Sequence, residues 1–133
     1  MEGEPQMDAD ERRLNGMTET IIGCSFRVAN GLGVGFLEKV YENALFHELR
    51  KAGLQVEQQK AIQVEYDGVI VGNYVADLLV ENEVIVELKA VKSIDDIHLA
   101  QCLNYLHATG LKVALILNFG TPRLGVKRVV NSF

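Results

Sequence analysis

Near residue 60 the spacing of apolar side chains changes from a helical period to a period of two, which splits the chain into a helical first half and a sheet-forming second half. Leu14, Met17, Ile21, Cys24 and Val28 recur at three- and four-residue intervals and predict a helix over roughly residues 10–30. Asn30-Gly31-Leu32-Gly33 is expected to break it, since glycine tolerates the backbone angles of a helix end. A second helix is expected from about Gly35 to Ala52, stopped by Gly53. Beyond it, Ala61 to Tyr66 and Val69 to Val80 are rich in β-branched and aromatic residues, and Asp67-Gly68 between them predicts a two-residue hairpin turn. Val84 to Val91 forms a third strand after Glu81-Asn82-Glu83. A helix capped by Asp95 or Asp96 runs to Thr109 and stops at Gly110, and Lys112 to Phe119, apolar throughout its middle, is a central strand. Val126 to Val130 adds a short last strand. Leaving aside that short last strand, the order α-α-β-β-β-α-β predicts one α/β domain over residues 10–133, a mixed sheet flanked by helices, behind a loose polar segment 1–9.

Composition narrows the function classes. The longest apolar runs, such as Val113 to Leu117, are far too short to span a bilayer, and no basic region followed by an apolar one opens the chain. No membrane partner is expected. Cys24 and Cys102 have neither a CxxC context nor a histidine at metal spacing, so both read as core thiols of a cytoplasmic protein. The net charge of −5 is uneven: residues 1–20 carry six acids against Arg12 and Arg13, and from Leu99 onward there is no acid beside Lys112, Arg123, Lys127 and Arg128. That basic end suits contact with phosphates and equally suits a solvated surface. Neither a Walker-type phosphate loop, nor a GxSxG turn, nor zinc-ligand spacing occurs.

The chemistry is concentrated in the third strand, Val84-Ile85-Val86-Glu87-Leu88-Lys89-Ala90. Alternation sends Glu87 and Lys89 to one face with Ile85, and charge inside an apolar strand is costly unless something compensates it. Asp77 raises the same question in Tyr74 to Val80. If Glu81-Asn82-Glu83 is a three-residue loop, Val80 pairs with Val84 and Asp77 therefore stands opposite Glu87 on the same face. Two carboxylates that close repel unless a cation lies between them or one is protonated. A hard divalent ion, Mg²⁺ or Mn²⁺, resolves this, and Lys89 stands where it can stabilise charge at a reacting phosphate. From the residues alone, a structural ion-pair cluster and a metal site both stay open.

Asp77, nine intervening residues and Glu87-Leu88-Lys89 resemble the D-X(n)-ExK motif of the PD-(D/E)XK nuclease superfamily. Gly35-Phe36-Leu37-Glu38-Lys39-Val40-Tyr41 resembles the signature of the GxxExxY family within it, and the chain departs from that family's pattern at Ala29 and Val34, where His and Pro are frequent. The resemblance implies a restriction-endonuclease-like core and hydrolysis of phosphodiester bonds in nucleic acid, DNA ahead of RNA. Asp77 and Glu87 would hold Mg²⁺ or Mn²⁺, Lys89 would assist the attacking water, and Glu38 on the preceding helix would complete the metal site. Gln101 and Tyr105, at i and i+4, resemble the QxxxY element that lies beside the active site and contacts nucleic acid. Tyr41 reads as a core residue and His98 and His107 as surface histidines. A chain this small is expected to need a partner or a homodimer to hold a duplex. The competing function is a non-catalytic nucleic-acid or protein-interaction module that keeps the nuclease-like fold.

Overall fold

A computed structural model describes residues 8–131. Helix α1 spans Ala9–Leu32; Asp8 caps it by accepting the Glu11 amide at 2.8 Å, and Asp10 and Glu11 complement the helix dipole in the first turn. The expected loose segment 1–9 lies outside the described residues up to residue 7, while Asp8 and Ala9 belong to this helix start. Leu14, Ile21, Cys24 and Val28 form its buried stripe. The helix does not break at Asn30-Gly31. It continues to Leu32 and stops at Gly33, the first glycine of the pair to take a left-handed angle (φ 72°).

Helix α2 covers Glu38–Lys51 and begins three residues later than the sequence suggests, because Gly35 sits at φ 108°, outside any helix. The loop between the helices is tied down by Tyr41. Its hydroxyl donates to Gly33 O at 2.6 Å and accepts from the Phe36 amide at 3.2 Å, while its buried ring stacks on Phe119 at 4.8 Å. Tyr41 is a core residue, as read from the sequence.

The sheet order is β1-β2-β3-β4-β5, with β1 Val56–Tyr66, β2 Val69–Val80, β3 Val84–Lys89, β4 Val113–Asn118 and β5 Gly125–Val130. All neighbours are antiparallel except β3 and β4, whose parallel pairing needs a crossover, supplied by helix α3, Asp96–Thr109. Asp67-Gly68 makes the two-residue turn from β1 to β2, both residues at positive φ, and Tyr66 pairs with Val69. Helices α1 and α2 cover one face of the sheet over Leu78, Val80, Val84, Val86, Leu88, Leu115 and Leu117. Helix α3 covers the other through Leu106 and Cys102, over Ala76, Ile85, Ala114 and Ile116. With both faces covered, β4 is buried at every residue, which is why it reads as continuous apolar sequence from Val113 to Leu117. The fold is the mixed α/β arrangement expected.

Two features fix the far end of β3. The Phe119 amide donates to Lys89 O at 2.8 Å, extending the parallel ladder one step. Buried Asn118 accepts from the amides of Val91 and Gly120, each at 3.0 Å, and donates to Val91 O at 2.9 Å. The chain leaving Lys89 is therefore held by hydrogen bonds as well as by packing.

Candidate active site

The loop Glu81-Asn82-Glu83 has three residues, with Glu81 and Asn82 at positive φ, and Val80 pairs with Val84. The register Leu78↔Val86 then points Asp77 at Glu87. The regular ladder ends there and side chains replace it: the Asp77 amide donates to Glu87 Oε1 at 3.3 Å, and the Leu88 amide donates to Asp77 Oδ2 at 2.9 Å. The two carboxylates are thus brought together on adjacent antiparallel strands.

Alternation fails at Asp77. Ala76 packs under α3, whereas Leu78, two residues on, packs under α1 and α2. The partner strand changes face at the same level, with Val56 on the α1/α2 side and Ile62 and Val64 on the α3 side. Asp77 therefore stands at the crossover between layers, able to touch groups from both.

On the α3 side, Glu87 and Lys89 line a cavity of about 180 Å³ with Tyr74, His98, Gln101, Cys102, Tyr105 and Ile116. The Tyr74 hydroxyl donates to Glu87 Oε1, and its ring stacks on Tyr105 with centroids 3.4 Å apart. Gln101 and Tyr105 share this wall with the ExK residues. His98 was expected on the surface; instead it is 23% exposed and lines the cavity, with Nδ1 3.3 Å from an Asp95 carboxylate oxygen. Its i, i+3 spacing to Gln101 on the same helix carried that information. His107 is exposed.

Burial first, and the nearby Asp77 charge second, push the Glu87 carboxyl up to about 7, against the opposing pull of the Tyr74 hydroxyl. Burial and the Glu87 charge drive the Tyr74 phenol well above its usual range, so it stays a donor. Burial also pushes the Cys102 thiol up to about 12, which makes it an inert wall rather than a nucleophile.

These shifts fix a pH dependence. Folded Glu87 holds its proton more tightly than the unfolded chain does, so its contribution to stability is complete below the ordinary carboxylate range and is lost as pH rises to about 7. Metal-free protein is expected to melt at a higher temperature at pH 5.5 than at pH 8, in thermal melts at constant ionic strength. Mn²⁺ should shrink the difference by favouring the ionised carboxylate. An identical pH trend in a Glu87→Gln variant would assign the effect elsewhere.

The motif assigned the helix carboxylate to Glu38. Glu38 is exposed in the first turn of α2 and makes no hydrogen bond or ion pair to Asp77, Glu87 or Lys89. Glu42, one turn further, is only 4% exposed and accepts from Lys39 Nζ at 2.8 Å, Gln58 Nε2 at 2.7 Å and Gln59 Nε2 at 2.8 Å. The same Gln59 amide donates to Asp77 Oδ1 at 3.2 Å, so one side chain links the helix carboxylate to the strand carboxylate. The signal for Glu42 lay in its position: it follows core Tyr41 directly and falls four residues after Glu38.

The donor set suits a hard cation. Among the described residues no group of three or more His, Cys, Asp or Glu side chains converges on one point. Two adjacent carboxylates do, and Mg²⁺ is commonly held by one or two carboxylates, with water and substrate phosphate filling the other positions. Mutual repulsion at Glu87 is what such an ion would relieve.

A family model described as PD-(D/E)XK nuclease superfamily matches residues 15–129. No curated protein matches the sequence. A solved structure titled "Crystal structure of SSO0001" is similar in fold, with a TM-score of 0.51 and 15% identity over 72% of this chain. The match covers 51% of that protein, so this chain corresponds to about half its length. No helix among the described residues is long and apolar enough to cross a membrane. With the superfamily model spanning both helical layers and every strand of the sheet, the chain belongs to the PD-(D/E)XK nuclease superfamily.

Proposed function

We propose that this domain hydrolyses phosphodiester bonds in nucleic acid, DNA in preference to RNA, with Mg²⁺ or Mn²⁺. The observation that carries the reading is the meeting of Asp77 and Glu87 across β2 and β3, with Lys89 beside Glu87 in the same cavity. Asp77 and Glu87 would hold the ion, which when bound polarises a phosphate oxygen and offsets charge that builds on it. Lys89 presents an ammonium to the developing negative charge and orients the attacking water. The wall formed by Gln101 and Tyr105 contacts the nucleotide next to the scissile bond. The superfamily's helix carboxylate was assigned to Glu38 by motif; the hydrogen-bond chain through Gln59 favours Glu42.

The loop held by Tyr41 supports the narrower GxxExxY assignment, because Gly35 supplies the non-helical angle and Tyr41 locks the turn. Buried free thiols at Cys24 and Cys102 suit a reducing cytoplasm. Among the described residues, Lys89 and His98 are the basic ones lining the cavity, so a duplex would need further positive surface, which a second copy or a partner provides. That sparse charge also favours the second reading, a nucleic-acid or protein-interaction module without turnover.

The test is metal linkage. A ligand that binds only the folded state stabilises it by mass action. Mn²⁺ at about a hundred times its Kd should therefore stabilise the parent by about 2.7 kcal/mol, a rise of several degrees in melting temperature. Asp77→Asn should keep the fold, melt at or above the parent without metal because repulsion is relieved, and show no Mn²⁺ shift. Equal Mn²⁺ shifts in parent and variant would put the ion at another place.

A further inference from the structure

Asp77 is fixed at both oxygens by different parts of the chain. Oδ2 is held by the Leu88 amide of β3, while Oδ1 is held by Gln59 Nε2 of β1. Gln59 makes that contact from an unusual backbone. The β1/β2 ladder pairs Gln58 with Leu78 and Lys60 with Ala76 but skips Gln59 and Asp77, with no residue inserted on either strand. Gln59 takes φ 51°, a left-handed angle that a residue with a long side chain rarely adopts within a strand. Asp67, Glu81 and Asn82 take such angles in turns, whereas Gln59 takes one inside a strand, where a local demand on its geometry is the physical reason to hold it.

Packing does not account for Gln59. Its side chain is exposed, and buried Glu42, the other group it serves, keeps Lys39 and Gln58 as donors without it. Asp77 Oδ1 has Gln59 as its one donor among the hydrogen bonds of the described residues. A primary amide carries two hydrogens, enough for one to Glu42 Oε1 and one to Asp77 Oδ1.

Taking Asp77 and Glu87 as the metal-holding pair, we infer that Gln59 is a positioning residue. Its strained backbone and bridging amide aim Asp77 at the ion and hold the Glu42 carboxylate of α2 at a fixed separation from it. Groups that orient metal-binding carboxylates typically change metal affinity about 10- to 100-fold when removed.

Two variants separate this role from a structural one. Gln59→Met keeps the length of the side chain and the strained backbone but loses both donors. Gln59→Gly loses the donors and relieves the strain, since glycine adopts φ 51° freely. Mn²⁺ affinity is measured by titration calorimetry on the full chain, beside thermal melts without metal. The expected result is Mn²⁺ binding weakened about tenfold or more in both variants, with the metal-free melting temperature of Gln59→Gly at or above the parent's. Mn²⁺ affinity at or above the parent's in either variant overturns the inference while leaving the metal site standing. A fall in the metal-free melting temperature of Gln59→Gly also overturns it, because Gln59 is then structural. A parent that binds no Mn²⁺ removes the metal site and this inference together.

Discussion

Replacing Gly120 with alanine should destabilise the protein by about 3 kcal/mol or more, or prevent folding, the largest single-residue effect on stability expected outside the apolar core. A β-carbon at this position would lie 2.5 Å from Val91 O and 2.6 Å from Ala90 C, and closer still to Val91 N. All three are backbone atoms, so no rotamer change can make room, and the segment 90–91 or the end of β4 must move. The Asn118 side chain bridges these same two segments, so movement also strains three of its hydrogen bonds. Because Ala90 directly follows Lys89, any folded fraction should have a displaced ammonium and reduced activity. Thermal and chemical denaturation of purified Gly120→Ala measure the effect. A melting temperature within a degree or two of the parent's would mean that the close approach of these backbones is not maintained in solution. The other glycines with defined surroundings offer no comparable effect: Gly125 would bring its β-carbon no nearer than 3.3 Å to the Asn118 side chain.

The architecture was legible where local chemistry and tertiary demand agree. Asp67-Gly68, Asp95 before α3 and Gly110 after it each act through their own backbone angles or hydrogen bonds, so their reading did not depend on distant residues. The pairing of Val80 with Val84, and with it the meeting of Asp77 and Glu87, followed from loop length alone. The beginning of β1 was missed because Glu57-Gln58-Gln59-Lys60 is polar and resembles a linker; it is strand because Val56, Glu57, Gln58 and Lys60 pair with Val80, Leu79, Leu78 and Ala76 along the edge of β2. The start of α2 was placed too early because the apolar spacing continues through Phe36 and Leu37, while Gly35 and the Tyr41 hydroxyl hold that stretch open as a loop.

The candidate site was less fully legible. Lys89, Glu87 and Asp77 show as charge within apolar strands, a signal that survives without any partner. Glu42 and Gln59 carry no such mark. Glu42 looks like an ordinary helix carboxylate until three donors are found around it, and Gln59 looks like an exposed strand residue until its φ is known. Tyr74 belongs to the site only because α3 crosses over β2 and β3, a relation set by the parallel β3–β4 pairing and not by sequence spacing, whereas His98 could have been placed by its spacing to Gln101 on α3.

Lys89→Met should lower the rate of metal-dependent cleavage about 10²- to 10³-fold, equivalent to roughly 3–4 kcal/mol of barrier, while the protein stays folded and binds Mn²⁺. Lys89 is half-buried, and methionine retains most of its apolar stem, so packing against the cavity wall survives the change. Its backbone contact to Phe119 does not involve the side chain and is unaffected. In the metal-free state the ammonium favours the ionised form of Glu87, so its loss raises that carboxyl further and leaves Asp77 and Glu87 to compete for metal without a neighbouring cation. A lysine that served only to balance charge would behave oppositely, with a lower metal-free melting temperature and an unaltered turnover. The decisive measurement is single-turnover cleavage of end-labelled single- and double-stranded DNA, with RNA alongside, by parent and Lys89→Met in saturating Mn²⁺, with metal-free melts of both. Cleavage by the parent that stops on chelation, and that falls at least a hundredfold in a folded, Mn²⁺-binding Lys89→Met, is the expected result. Equal cleavage by the two proteins, or no cleavage of any of these nucleic acids by a parent that binds the ion, would contradict it.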